Sequence, residues 1–288
     1  VGGRRHREAA IYNGADAVYM GGPLFNARIR AENFTNDDLQ TAVDFAHERN
    51  VKVYITFNTL IKDSELQKAF DYACFLYEIG VDAIIIQDIG LARLIHTHIP
   101  DFPMHLSTQG TVYNTHALDL VRQLGFRRVV PARELTLEEI RRMCETAHAD
   151  TGSGPLEIEV FVHGALCMCY SGQCQMSRLL GIGGGKAEDG QSGMSGDVRS
   201  GNRGLCAQPC RLPYTDDKGR TGFWLSPKDI CTLERLPELI EAGVDSFKIE
   251  GRLKSAEYVA TVTRIYRKYI DMYMETDGIK IAHEDVND

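Results

Sequence analysis

"NGADAVYMGG" at residues 13–22, "IGVDAIIIQD" at 79–88 and "AGVDSFKIEG" at 242–251 share one pattern. Each sets a glycine, a small residue and an aspartate ahead of an apolar run, and each run ends in glycine or polar residues. The glycine suits the left-handed position that closes a helix. The run behind it has the unbroken apolar character of a parallel strand buried on both faces. Working outward, the same reading gives seven strands, at 16–20, 51–57, 82–87, 103–107, 127–130, 156–162 and 245–250. Helical segments separate most of them. "TNDDLQTAVDFAHERN" (35–50) opens on the capping residue Thr35 and carries apolar residues at 39, 42, 43 and 46. "TLEEIRRMC" (136–144) offers the capping box Thr136–Glu139.

Strand–helix alternation over 288 residues fits an α/β fold of the (β/α)8 TIM-barrel type better than an open doubly wound sheet. The chain opens directly in "GGRRHREAAIYNGAD" (2–16), which reads as a first strand-to-helix loop and its helix. The first strand is therefore expected to be missing. Residues 1–162 and 245–275 form the expected barrel, and 276–288 a tail. Between the last two strands lies a long cysteine-rich insertion, 163–244, far beyond an ordinary βα connection. It includes "GIGGGKAEDGQSGMSGDVRSG" (181–201), a Gly/Ser-rich stretch with the composition of a flexible linker. The insertion leaves the C-terminal end of a strand, where barrels build their active sites.

Composition narrows the class. The chain is 43% apolar and 25% charged, as globular proteins are. It contains no run of eighteen apolar residues to span a membrane and no secretory signal pattern, and a cytoplasmic location is expected. The net charge of −8 argues against nonspecific coating of nucleic acid but leaves room for a local basic patch. HExxH, GxSxG and Walker-type motifs do not occur.

Eight cysteines are too few for a disulfide scaffold. Cys74 and Cys144 fall in helical apolar patterns and read as small core residues. The other six, Cys167, Cys169, Cys174, Cys206, Cys210 and Cys231, gather within 65 residues. Such clustering points to metal or redox chemistry. Cys167 and Cys174 are spaced C-x6-C, and Cys206 and Cys210 are spaced C-x3-C. Neither is the C-x2-C spacing that favours zinc. Four soft thiolates suit an iron–sulfur cluster, with zinc as the competitor and a nucleophilic thiol paired with His163 as a third option. Cys231 is a reserve ligand in place of Cys210. Cys169 alternates with Cys167, so in an extended segment it would face away and pack.

Polar residues at the strand ends outline a wet pocket at the barrel mouth. His163, Glu250, Asn58 and Gln109 are the candidates for catalysis there. Arg133, Arg203, Arg211, Arg252 and Lys254 are the candidates for binding phosphates or a carboxylate donor. Tyr170, Tyr214 and Trp224 could stack on a flipped base.

Four stretches together resemble the peptidase U32 family: "EVFVHGALCMCYSGQCQMSRLLG" (159–181), "SGNRGLCAQPCRLPY" (200–214), "LSPKDICTLERLPELIEAGVDSFKIEGRLKS" (225–255) and the early "NGADAVYMGG". The resemblance covers nearly the whole chain and agrees with the barrel. It implies either collagenase-like proteolysis, for which the family is named, or hydroxylation of RNA, at a tRNA wobble uridine or a ribosomal cytidine. "SPKDIC" and "NRGLCAQPCR" look most like the tRNA hydroxylation branch. Through family members that hydroxylate ubiquinone without oxygen, the resemblance also implies a [4Fe–4S] cluster on Cys167, Cys174 and Cys206, with Cys210 chosen as fourth ligand. RNA and a small carboxylate oxygen donor such as prephenate are the implied partners. A zinc-stabilised binding module is the reading from another class. The Gly/Ser stretch is longer than the family's usual loop.

Overall fold

The structure, a computed structural model, describes residues 2–28, 33–149, 154–181, 200–251, 254–276, 281–282 and 285. Seven parallel strands form one curled sheet: β1 (Ala17–Gly21), β2 (Lys52–Phe57), β3 (Ala83–Ile86), β4 (Met104–Leu106), β5 (Phe126–Val129), β6 (Glu157–Gly164) and β10 (Ser246–Glu250). They are paired in that order. Each lies within two residues of its expected position, because a strand covered on both faces must be apolar nearly throughout. In β3, "AIII", all four residues are buried. Short β9 (Ile230–Cys231) joins the sheet antiparallel to β6, and β7 (Tyr214–Thr215) with β8 (Thr221–Gly222) forms a separate hairpin.

Helices α1 (Arg4–Tyr12), α2 (Asn36–His47), α3 (Leu66–Glu78), α4 (Ile89–His98), α5 (Ala117–Gln123) and α6 (Leu137–His148) precede, separate and back the first six strands. Short α7 (Met176–Gly181) and α8 (Leu236–Glu241) lie between β6 and β10, and α9 (Ala256–Thr276) packs against α1. Thr35 caps α2 in a box with Asp38, and Thr136 caps α6 in the expected box with Glu139. The main core lies between the sheet and these helices, with Leu39, Leu76, Ile84, Leu91 and Met104 almost fully buried. Cys144 joins it at 1% exposure, and Cys74 is half-buried on α3. In the tail, the Asp285 carboxylate accepts from Lys268 and Tyr269 of α9.

The aspartate of the repeated motif has a structural role. Asp82, just before β3, accepts from the Val53 amide at the start of β2 (2.7 Å) and from His47 of α2 (2.8 Å). Asp245, just before β10, accepts from the Ile158 amide at the start of β6 (2.7 Å) and from His148 of α6 (2.9 Å). In both places the carboxylate ties its own strand to the preceding one in the sheet.

The sheet does not close on itself among the described residues. No ladder joins β10 to β1. A slot of about 380 Å³ separates them. Side-chain contacts bridge it: Tyr19 Oη donates to the Ile249 carbonyl (3.4 Å) and to Glu250 (3.1 Å).

Candidate functional site

At the C-terminal ends of the strands lies a cavity of about 410 Å³. The strands contribute Tyr19, Thr56, Ile85, Phe161, Lys248 and Glu250 to its lining. The segments that follow β2, β4 and β5 add Asn58, Gln109 and Arg133. The chain between β6 and α7, and the chain after residue 200, close over the top.

Five of the six clustered cysteines line this cavity: Cys167, Cys169, Cys174, Cys206 and Cys210. All are free thiols. Burial raises the Cys169 thiol to about 11, helped by its hydrogen bond with Cys174 and by the neighbouring Cys167 and Cys210. Burial likewise pushes Cys210 up, and Cys167 and Cys206 add to the rise. Cys169 is thus not the packing residue that alternation implied. Residues 167–174 form turns rather than an extended strand, so 167 and 169 face the same space. Cys231 is exposed on β9 beside Tyr258 and Tyr266 and is not part of the cavity wall. Backbone amides approach two sulfurs: Gln208 N donates to Cys206 Sγ (3.4 Å), and the Met168 amide bonds Cys210. Soft, unpaired thiols with amide donors at their backs are the donor chemistry of a thiolate-held metal. Among the described residues, no three His, Cys, Asp or Glu side chains stand together as a closed metal site.

Three tethers fix the sulfur-bearing loops to the rim. Ser171, fully buried, donates through its amide (2.9 Å) and hydroxyl (3.2 Å) to the Glu134 carboxylate, and its carbonyl accepts from Thr111 (2.6 Å). The adjoining Gly172 adopts φ +73°, and a Cβ there would lie 2.1 Å from the Gln109 carbonyl oxygen. Arg203 pairs with Glu65 (2.8 Å) and donates to the Leu60 carbonyl. Arg211 donates to Ser226 Oγ (2.8 Å) and to the carbonyls of Pro227 (2.7 Å) and Leu166 (2.9 Å). Arg203 and Arg211, both sequence candidates for binding substrate, therefore have their guanidinium groups engaged in holding loops. Arg211 still borders the cavity, and Arg203 does not.

The remaining candidates separate clearly. Asn58 accepts from the Ala27 amide (2.9 Å), which leaves its NH₂ toward the cavity. Gln109 presents a buried Oε1 without a partner among the described residues. Arg133 donates through Nε to Ser171 Oγ (3.1 Å) at the cavity edge. Lys254 lies over the Tyr258 ring and pairs with Asp229 (2.6 Å). Arg252 and most of the Gly/Ser stretch lie outside the described residues.

His163 departs most from expectation. The β6–β10 register shifts between Phe161 and His163, so Lys248 faces Phe161 while Ile249 pairs with His163. That irregularity breaks the alternation and sends the imidazole out of the mouth, against Tyr258 (5.8 Å) and Tyr266 (5.7 Å) of α9. Burial there lowers its pKa. Among the described residues, no histidine lines the cavity.

Two basic residues went unnoticed in the sequence: Arg28, in the loop after β1, and Lys248. Lys248 reaches down to a buried ionic cluster beneath the cavity. Its Nζ lies 2.6 Å from Glu159 Oε1, while Glu159 Oε2 accepts from Arg128 (2.9 Å) and Ser246 (2.9 Å). Burial alone would raise the Glu159 carboxyl, but the Lys248 and Arg128 charges outweigh it and hold it at about 2. Nearby His105 stacks edge-on against Tyr54 and is held neutral, at about 3, by burial and by Arg128. Opposed charges at alternating positions of β5, β6 and β10 were the available signal, but pairing them requires knowing which strands adjoin.

No described helix is long and apolar enough to cross a membrane. A family model described as peptidase family U32 matches residues 3–287. A 23S rRNA 5-hydroxycytidine synthase of Escherichia coli (strain K12) is 42% identical over 93% of this chain and 38% of its own length. A tRNA hydroxylation protein of Bacillus subtilis (strain 168) is 37% identical over 92% of this chain and 60% of its own. A protein named collagenase, from Porphyromonas gingivalis, is 35% identical over 95% of this chain and 64% of its own. The chain thus spans between about two fifths and two thirds of the length of these relatives. With nearly every residue inside the match, the chain belongs to the peptidase U32 family.

Proposed function

We propose that this chain carries the active site of an RNA-hydroxylating enzyme, with an iron–sulfur cluster at the mouth of the curled sheet. The observation that carries the reading is the convergence of five free thiols on the same cavity as the polar strand ends. The names of the RNA-hydroxylating relatives supply the substrate class. Cys167, Cys174, Cys206 and Cys210 would hold the cluster, a choice that Cys231's position outside the cavity supports. Cys169 stands beside them as a thiol that can exchange in. A bound cluster supplies electron transfer at that point. Around it, Arg28 and Arg133 offer cationic groups to a small carboxylate donor such as prephenate. Asn58 and Gln109 offer amides to the edge of a base, probed best by a pyrimidine such as a tRNA uridine.

We also infer that an eighth parallel strand, not among the described residues, completes a (β/α)8 barrel in the slot between β10 and β1. Asp16 stands where Asp82 and Asp245 stand in the other two repeats, yet its side chain is 88% exposed and meets Arg267 instead of a strand amide. The cysteine-bearing chain from 163 to 244 is then one long loop of that single domain.

A thiol peptidase, suggested by the family name and by the Porphyromonas relative's name, needs a base beside its nucleophile, and among the described residues the cavity wall holds no histidine. The test is mass spectrometry of RNA nucleosides from cells with the gene deleted, together with iron and zinc analysis of anaerobically purified protein. Loss of a hydroxylated nucleoside and a brown iron protein are expected. An unchanged nucleoside profile overturns the RNA reading, and a colourless zinc protein overturns the cluster.

A further inference from the structure

Two exposed aromatic residues follow directly on the β7–β8 hairpin. Phe223 is 63% exposed and Trp224 58%. Large aromatic groups are normally buried, and Trp224 is nevertheless held in a fixed orientation. Its indole Nε1 donates to the Tyr214 carbonyl (3.0 Å). A Cβ built on Gly222 would fall 2.9, 3.0 and 3.2 Å from three atoms of the indole's six-membered ring, so the ring lies face-on over the glycine. Its other face is open. The hairpin is tied to the sulfur-bearing loop: Tyr214 Oη donates to the Pro209 carbonyl (2.9 Å), next to Cys210. Tyr214 is thereby committed to the loop, whereas Trp224 is an exposed ring whose orientation a hydrogen bond and a glycine fix together.

Charge favours an anionic visitor here. Residues 200–228 contain five lysines and arginines against two aspartates, in a chain whose net charge is −8. Arg220 pairs with Asp216 (2.7 Å), and Lys218 and Lys228 are exposed.

We propose that Trp224 is a stacking platform for an unpaired base of single-stranded RNA, flanking the nucleotide held in the mouth. This rests on the RNA reading above. Stacking on an aromatic face tolerates any base, and exposed, oriented rings beside positive charge are how single strands are held. The glycine at 222 is what allows the indole to lie flat.

Trp224 is the only tryptophan of the chain, so its own fluorescence reports the contact. The full chain is titrated with a labelled ten-nucleotide oligouridylate and, in parallel, with a ten-base-pair RNA duplex. Saturable quenching by the single strand and little by the duplex is expected. Trp224→Ala should weaken single-strand binding roughly ten- to hundredfold, and Trp224→Phe should restore most of it. Gly222→Val, which lifts the indole, should weaken binding as Trp224→Ala does. RNA that binds without quenching, or binds Trp224→Ala as well as the wild type, overturns the platform and leaves the RNA assignment standing. Failure of any RNA to bind overturns the platform, and the nucleoside analysis then judges the RNA assignment separately.

Discussion

Glu159→Gln should be among the most damaging single substitutions inside the curled sheet. The carboxylate is 4% exposed and bonds Lys248, Arg128 and Ser246. Arg128 keeps a second partner in Glu157 (2.6 Å), but the substitution leaves the Lys248 ammonium, 8% exposed, without its counter-charge. Two estimates of the cost agree. Removing one partner of a buried ion pair costs ~3–5 kcal/mol. The carboxyl's ordinary value is 4.5 and its folded value about 2, and at ~1.4 kcal/mol per pH unit that gap is worth about 3 kcal/mol. A domain of this size loses roughly 2–4 °C of Tm per kcal/mol, so a fall of at least about 6 °C at pH 7 is expected. Because the folded pKa is depressed, this stabilisation is fully present above pH 4.5 and is lost as the pH falls toward 2. Glu159→Gln should therefore lose the wild type's steep decline below pH 4.5. Adding Lys248→Met should recover much of the loss, since an apolar replacement removes the stranded charge. Calorimetry of the three proteins between pH 3 and 7 reads all of this. A Glu159→Gln protein melting within about 2 °C of wild type at pH 7 would refute the reasoning.

Other substitutions probe the site and its supports. Among single Cys→Ser variants reconstituted anaerobically, Cys231→Ser should keep its iron, while Cys167→Ser, Cys174→Ser and Cys206→Ser should lose most of it, as iron analysis will show. Gly172→Ala should cost at least ~1–2 kcal/mol from its left-handed backbone, with more from the Gln109 carbonyl in its path. It should appear as faster thiol labelling of Cys169 and Cys174. His105 has an ordinary value of 6.5 and a folded value of about 3, so the wild type loses stability as the pH falls below 6.5. His105→Phe should flatten that decline by about 3 kcal/mol between pH 6.5 and 4.5, in a window above that of Glu159. A pH profile of Tm unchanged by His105→Phe would contradict this.

The seven strands were legible because each must be apolar on both faces, and the capping boxes at Thr35 and Thr136 because a cap is a local bond. The gathering of cysteines was legible from spacing. What local pattern could not carry was orientation. Strict alternation along 159–163 puts His163 in the mouth, and one register shift sends it out. The assumption of an extended 167–169 segment turned Cys169 the wrong way. Arg203 and Arg211 read as free cations because their partners, Glu65 and the Leu166 carbonyl, are remote in sequence or hidden in backbone. The repeated aspartates were visible as a pattern, but their bond to the neighbouring strand exists only once the sheet is assembled.

The tethers through Ser171, Arg203 and Arg211 belong to the rim and not to anything the thiols bind. Their consequence concerns the order of assembly. The chain can finish folding with its sulfurs already lining one cavity, and the cluster proposed above would then enter a completed cup. Stripping that centre should leave a refillable vessel, unlike small zinc modules, which come apart when their ion is withdrawn.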